Sequence, residues 1–171
     1  MAIMTGTAHK YLDNINTDII SPPAYMELPL PEMAKYTMSV VDTEFASRCK
    51  EGDIFVAENN LGSGSSRETA PLTLRYLGIR TVVAKSFARI FYRNCINLGL
   101  LAIECQETDK ISMGDKLSVD TDAGVIKNLT TGEEYPCDKV PEHLMKIINA
   151  GGLTGYLEQR IAQEKKRLRS D

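Results

Sequence analysis

Apolar residues in this chain fall into short unbroken blocks, each entered from a glycine turn. Ile54-Phe55-Val56-Ala57 follows Gly52-Asp53, Thr81-Val82-Val83-Ala84 follows Gly78, and Leu100-Leu101-Ala102-Ile103 follows Gly99. Runs of this length and continuity predict strands buried on both faces. Between them the apolar spacing lengthens to that of helices. One helix follows a glycine-serine loop at 59–65 and closes at Gly78. A second is capped by Ser86 and runs through Phe87, Ile90, Phe91 and Asn94, with its apolar residues in the core. Strand, helix, strand, helix, strand predicts parallel βαβ units. Farther on, residues 117–120, 124–126 and 133–135 predict antiparallel ribbons joined by turns at Asp122-Ala123-Gly124 and Thr131-Gly132. Pro141 opens a helix to about Asn149, Gly151-Gly152 stop it, and a last helix covers 153–169. Ahead of these blocks the pattern fades. Residues 1–10 read as a loose or edge segment. Pro22, Pro23, Pro29 and Pro31 exclude a helix through 21–31 and predict a long irregular loop.

Composition narrows the function. A chain of 171 residues with 43% hydrophobic and 25% charged positions fits one α/β domain spanning 1–171. The apolar blocks are too short to cross a membrane, and the N-terminus lacks the basic and apolar regions of a secretory signal. A cytoplasmic protein with no membrane partner is expected. A net charge of −3 argues against nucleic acid as a partner. The cysteines, Cys49, Cys95, Cys105 and Cys137, form no CxxC pair, so they read as reduced thiols, with Cys95 and Cys105 as small buried residues. The only histidines, His9 and His143, lie far apart, so no metal ligand set is expected in this chain, and His143 is expected on a helix surface. An enzyme so short of acid–base groups would draw some of them from a partner. The basic tail Lys165-Lys166-Arg167-Leu168-Arg169 complements a helix C-terminus.

The stretch with most chemistry is Gly62-Ser63-Gly64-Ser65-Ser66-Arg67-Glu68, set between a predicted strand and a helix. Glycines allow close backbone approach to a ligand, amides at a helix start favour an anion, and Arg67 offers a bidentate carboxylate donor. Ser65-x-x-Glu68 equally fits a capping box, in which Ser65 only caps the helix. Pro71 sits awkwardly in such a helix, so its start is either later or distorted. No Gly-Lys-Ser/Thr follows, which excludes a phosphate-binding P-loop.

These residues resemble the GxGSSRE motif of the aconitase superfamily. Ala84-Lys85-Ser86-Phe87-Ala88-Arg89-Ile90-Phe91-Tyr92-Arg93-Asn94 resembles a second signature of its swivel domain, and Asn16-Thr17-Asp18-Ile19-Ile20 its opening loop. The likeness runs from about Tyr11 to Tyr156, and the size is that of a free-standing small subunit, as in the isopropylmalate branch of the superfamily. The resemblance implies a swivelling β/β/α three-layer domain and a partner large subunit that carries a [4Fe–4S] cluster, with no cofactor on this chain. It implies a hydro-lyase acting on a small hydroxy-dicarboxylate, with Ser65 as the base that takes the proton beside a carboxylate and Ser66 and Arg67 as carboxylate binders.

In such small subunits a loop after the opening motif reads the distal end of the substrate. Here it is Tyr25-Met26-Glu27-Leu28. Glu27 stands where arginine would pair with an added carboxylate and would repel one, whereas Met26 and Leu28 suit an alkyl group. Alternatively Glu27 points to solvent and discriminates nothing. An alkylmalate such as isopropylmalate is the expected substrate. Dimethylmalate, citramalate and homoaconitate enzymes are the near alternatives, and a non-catalytic binding or RNA-regulatory module is the distant one.

Overall fold

The computed structural model describes residues 3–170, so Met1, Ala2 and Asp171 of the expected segments lie outside it. Strand β1 is Ile3–Lys10. The helical turn α1, Thr17–Ile20, starts at Asn16, whose side chain accepts the Ile19 amide. Short helices α2, Leu30–Met33, and α3, Phe45–Arg48, lead to strand β2, Ile54–Val56. Helix α4, Thr69–Tyr76, strand β3, Thr81–Ala84, helix α5, Arg89–Asn97, and strand β4, Leu101–Glu104, complete the βαβ units. Strands β5, Lys116–Asp120, β6, Val125–Asn128, and β7, Glu134–Pro136, precede helices α6, Glu142–Asn149, and α7, Leu153–Ser170.

The strands form one mixed seven-stranded sheet in the order β4-β3-β2-β1-β5-β6-β7. From β4 to β1 the neighbours are parallel, and from β1 to β7 they are antiparallel. The patterns follow this division. Residues of β2 and β3 are all buried, as strands covered on both faces require. In β5, β6 and β7 buried positions alternate with exposed or half-exposed ones.

The first segment is the main correction. Residues 3–10 are not a loose edge but the strand where the two halves meet. The register puts Ala8 opposite Ile54 on one side and residues 3–7 opposite 116–120 on the other. Ile-Met-Thr-Gly-Thr-Ala-His-Lys hides this because it carries neither an apolar run nor an alternation. Its glycine has a steric cause: a Cβ on Gly6 would stand 2.1 Å from the Gly52 carbonyl oxygen.

Two smaller expectations also change. The proline-rich loop holds a 3-10 turn, Pro23–Tyr25, and α2 begins within it, because proline is compatible with a first helical turn. Ser86 does not cap α5. Its hydroxyl accepts the Asn60 amide, and the helix starts later, at Arg89. That start turns Phe91, Cys95 and Ile96 inward and leaves Ile90 51% exposed. Cys95 and Cys105 are buried and His143 is exposed, as expected.

Beyond the ends of β1, β2 and β3 lies a shared ion-pair network. Lys10 Nζ is 2.8 Å from Glu58 and also donates to the Thr108 and Ile111 carbonyls. Lys85 lies 3.1 Å from Glu58 and 3.1 Å from Asp109. Desolvation alone would raise the Glu58 pKa, but its bonds to Lys10 and Lys85 outweigh it and hold the carboxyl below the ordinary value.

Glu58→Gln is therefore expected to lose about 3 kcal/mol in urea unfolding, since it strands Lys10 in a mostly buried position. A lowered folded-state pKa contributes stability at neutral pH that is lost as pH falls through it. The Tm gap between wild type and Glu58→Gln should accordingly narrow on acidification below the ordinary carboxylate value of 4.5.

Candidate active site

Two loops leave the sheet side by side, one after β1 and one after β2. Both strands run the same way, so both loops emerge at the same end. They are stitched by their backbones. Asn14 N donates to Asn59 O at 2.9 Å, Gly62 N to Ile15 O at 2.8 Å, and Thr17 N to Ser63 O at 2.9 Å. The Thr17 hydroxyl then accepts the Ser65 amide at 3.1 Å. The opening motif thus aligns the glycine-serine loop bond by bond. Gly62 adopts φ +85°, and a Cβ there would stand 2.0 Å from the Phe91 ring. On the other side Leu61 bridges to Phe87, and Asn94 of α5 donates to the Ser66 carbonyl at 3.2 Å.

Ser65 is not a helix cap. Helix α4 starts at Thr69 with Glu68 as its flanking residue. Pro71 consequently falls in the first turn, where a missing N–H costs nothing. The Ser65 hydroxyl instead faces Arg67: Oγ accepts Arg67 Nε–H at 2.8 Å and the Arg67 amide at 3.3 Å. A serine oxygen has two acceptor positions. With both directed at Arg67, the deprotonated form is stabilised by a fixed cation and two donors. One of these donors is a loop amide, that of Arg67, and the other its guanidinium, while the Ser65 amide itself is engaged by Thr17.

The rest of the Arg67 fork is occupied too. Its Nη2 donates to Asp18 at 2.8 Å, and its Nη1 meets the Met26 sulfur. Asp18 belongs to the opening motif. The sequence pointed to that motif, but only the fold brings its carboxylate to the arginine. The Arg67 and Asp18 side chains are 36% and 56% exposed, so their pair is a weak one that an arriving carboxylate can replace. Ser66 is exposed beside them.

Of the four residues in the distal loop, Met26 is the one that reaches this cluster. Tyr25 stacks on Tyr36 with ring centroids 3.8 Å apart, and Glu27 and Leu28 are exposed. The Ser65 corner is an open surface shared by two loops. Sizeable grooves lie elsewhere, such as one of about 540 Å³ between α6 and α7.

The cysteines do not suit an iron–sulfur cluster. They are free and on separate segments, and among the described residues no three of them come together. No helix among the described residues is long and apolar enough to cross a membrane.

Residues 4–108 match the family model described as aconitase C-terminal domain. A 3-isopropylmalate dehydratase small subunit from Caldicellulosiruptor bescii is 46% identical over 164 residues, covering 95% of this chain and 99% of the relative. An isopropylmalate/citramalate isomerase small subunit from Methanocaldococcus jannaschii is 46% identical over 166 residues, covering 96% of this chain and 99% of the relative. Among solved structures, the crystal structure of a 3-isopropylmalate dehydratase (leuD) from Methanocaldococcus jannaschii superposes with a TM-score of 0.91 at 41% identity. It covers 97% of this chain and 99% of that one. The α/β architecture implied by the motifs is thus the one found.

Gly62→Ala is expected to cost about 3 kcal/mol in chemical denaturation, combining positive-φ strain with the Phe91 clash. Gly132→Ala is the reference: φ is +82° there, with nothing within 4 Å of the added Cβ. Its loss should stay near ~1 kcal/mol, the conformational part alone.

Proposed function

The chain belongs to the aconitase C-terminal domain family, and from that membership and the Ser65 geometry we propose that it is the small subunit of a hydro-lyase of the 3-isopropylmalate dehydratase type. In this reading the enzyme interconverts 2-isopropylmalate and 3-isopropylmalate in leucine biosynthesis, in the cytoplasm. The observation that carries the proposal is the Arg67 guanidinium resting on the Ser65 hydroxyl oxygen at 2.8 Å.

The chain's own part in the reaction follows from that contact. The substrate carboxylate displaces Asp18 and takes the Arg67 fork, with the Ser66 hydroxyl beside it. This places the carbon next to that carboxylate against Ser65 Oγ. Ser65 as alkoxide takes the proton from that carbon, the electron pair forms the C=C bond, and the hydroxyl on the neighbouring carbon leaves. Rehydration reverses the step with hydroxyl and proton exchanged between the two carbons. Arg67 keeps the alkoxide accessible by holding its own positive charge against Oγ. Activation of the leaving hydroxyl has no counterpart among these residues. We assign it to a partner large subunit, which the resemblance supplies with a [4Fe–4S] cluster. The open form of the corner supports such an arrangement, because a partner surface would close it.

The substrate's alkyl end is assigned to Met26, which already touches Arg67. Glu27, exposed at the loop surface, remains proposed as a weak barrier to a third carboxylate. A citramalate substrate is the second reading, favoured by the printed name of the Methanocaldococcus jannaschii relative.

The purified chain alone should show neither dehydratase turnover nor an iron–sulfur absorption band, and should gain activity on mixing with its large subunit. Turnover by the isolated chain would overturn the proposal. In the reconstituted complex Ser65→Ala should lower kcat by ~10² to 10⁴-fold with stability changed by less than about 1 kcal/mol. A destabilised but fully active variant would return Ser65 to a structural role.

Met26→Ala should lower kcat/KM for isopropylmalate by roughly tenfold or more and affect citramalate less, because one lost apolar contact is worth about 1–3 kcal/mol. Glu27→Arg should move the ratio toward a tricarboxylate such as homoaconitate by a smaller factor, since water screens an exposed charge. Competition assays with paired substrates read both ratios.

A further inference from the structure

A second cluster of reactive side chains lies away from Ser65, beside the turn that enters β2. His9 of β1, Cys49 and Asp53 bring their nitrogen, sulfur and carboxylate oxygen within 4.8 Å of one another. We propose that these three side chains form a binding site for a borderline divalent cation of the zinc type, a site that staples β1 to the turn before β2. The sequence predicts no metal ligand set here, since no two cysteines form a CxxC pair and the two histidines lie far apart.

The donor set selects the cation. Thiolate, imidazole and carboxylate together suit a tetrahedral zinc-like ion rather than magnesium or calcium, which prefer oxygen alone. Metal–ligand bonds of about 2.0–2.3 Å require the donors to stand ~3.5 Å apart, a short approach from the present spacing. Cys49 and Asp53 are four residues apart on one tight turn, closed by Asp53 N donating to Lys50 O at 3.0 Å. His9 is only 2% exposed and is fixed edge-on to Phe45 at 5.2 Å. Asp53 already has outer partners to orient it, the Lys50 amide at 2.9 Å and the Thr7 amide at 3.4 Å. A groove of about 190 Å³ reaches His9 and Asp53 from the surface and gives an entry path and room for a water ligand.

Charge argues the same way. The Asp53 carboxylate is buried with His9 Nε2 at 2.8 Å. Arg48 Nε donates to His9 Nδ1 at 3.5 Å, so Nδ1 accepts and Nε2–H donates to Asp53. The Arg48 charge is committed to Asp42 at 2.5 Å. A dication with the Asp53 carboxylate and the Cys49 thiolate is neutral overall. Binding releases one proton, from the Cys49 thiol. The imidazole proton moves from Nε2 to Nδ1, and Arg48 gives up its long contact there. Without a cation, burial and then Asp53 keep that thiol protonated, up to about 12. A bound cation inverts that preference.

The test uses tag-free, reduced, chelator-treated protein titrated with Co²⁺. One equivalent should produce a thiolate-to-cobalt charge-transfer band and tetrahedral d–d bands, both displaced by Zn²⁺. Zn²⁺ should also raise Tm. Cys49→Ser should abolish the charge-transfer band and weaken binding at least tenfold, while Cys137→Ser, outside the cluster, should keep it. Circular dichroism on each variant checks that the fold is retained. His9→Gln, which removes a buried ring, is read by the same bands only if its spectrum is native. A wild-type protein with no charge-transfer band, or a band that survives Cys49→Ser, overturns the site.

Discussion

Backbone hydrogen bonds between the loops after β1 and β2 are the constraint from which the Ser65 corner follows. A serine near an arginine is common, and a serine whose oxygen is held under a guanidinium is not obtained from sequence neighbours alone. Ser65 and Arg67 are two residues apart on a glycine loop that has no secondary structure to hold it. The Ile15–Gly62 and Thr17–Ser63 bonds, with the Thr17 hydroxyl on the Ser65 amide, supply that hold. They require Gly62 to lie flat against Phe91, which in turn depends on where α5 begins. The later start of α5, at Arg89 rather than near Ser86, is therefore part of the site's construction.

The sheet's position relative to the corner has the same origin. Because β1 pairs parallel to β2 on one side and antiparallel to β5 on the other, it can send its loop to the same end as β2 while anchoring the antiparallel half. The network joining Lys10, Glu58, Lys85 and Asp109 sits at that end and ties the exits of three parallel strands together. Loops leaving a fixed platform hold their geometry better than loops leaving separate strands.

Much of this was legible before the fold. Buried runs at 54–57, 81–84 and 100–103 marked the parallel strands because burial on both faces leaves an unmistakable apolar block. Proline at 141 and the paired glycines at 151 and 152 bounded α6 within a residue. The GxGSSRE likeness located the corner. What stayed hidden was non-local. The segment 3–10 is central through its neighbours and not through its own pattern, since Thr5, Gly6, Thr7 and His9 match no strand template. Excluding the capping box for Ser65 needed the true start of α4. The meeting of Asp18 and Met26 on Arg67 joins positions 49 and 41 residues away, and no spacing rule reaches that far.

If Arg67 binds the substrate carboxylate as proposed, the Asp18 carboxylate resting on it has a consequence for turnover number. Any ligand carboxylate that leaves the guanidinium finds a competitor tethered nearby, at an effective concentration set by the stitched loops and not by the surrounding solution. Free inorganic anions must compete against the same tethered group, so the arginine is shielded from occupancy by them. On that reading the cost is some affinity for substrate, and the gain is faster departure of product. In a reversible isomerisation, where substrate and product carry the same carboxylates, such a built-in displacer favours exchange over retention in both directions.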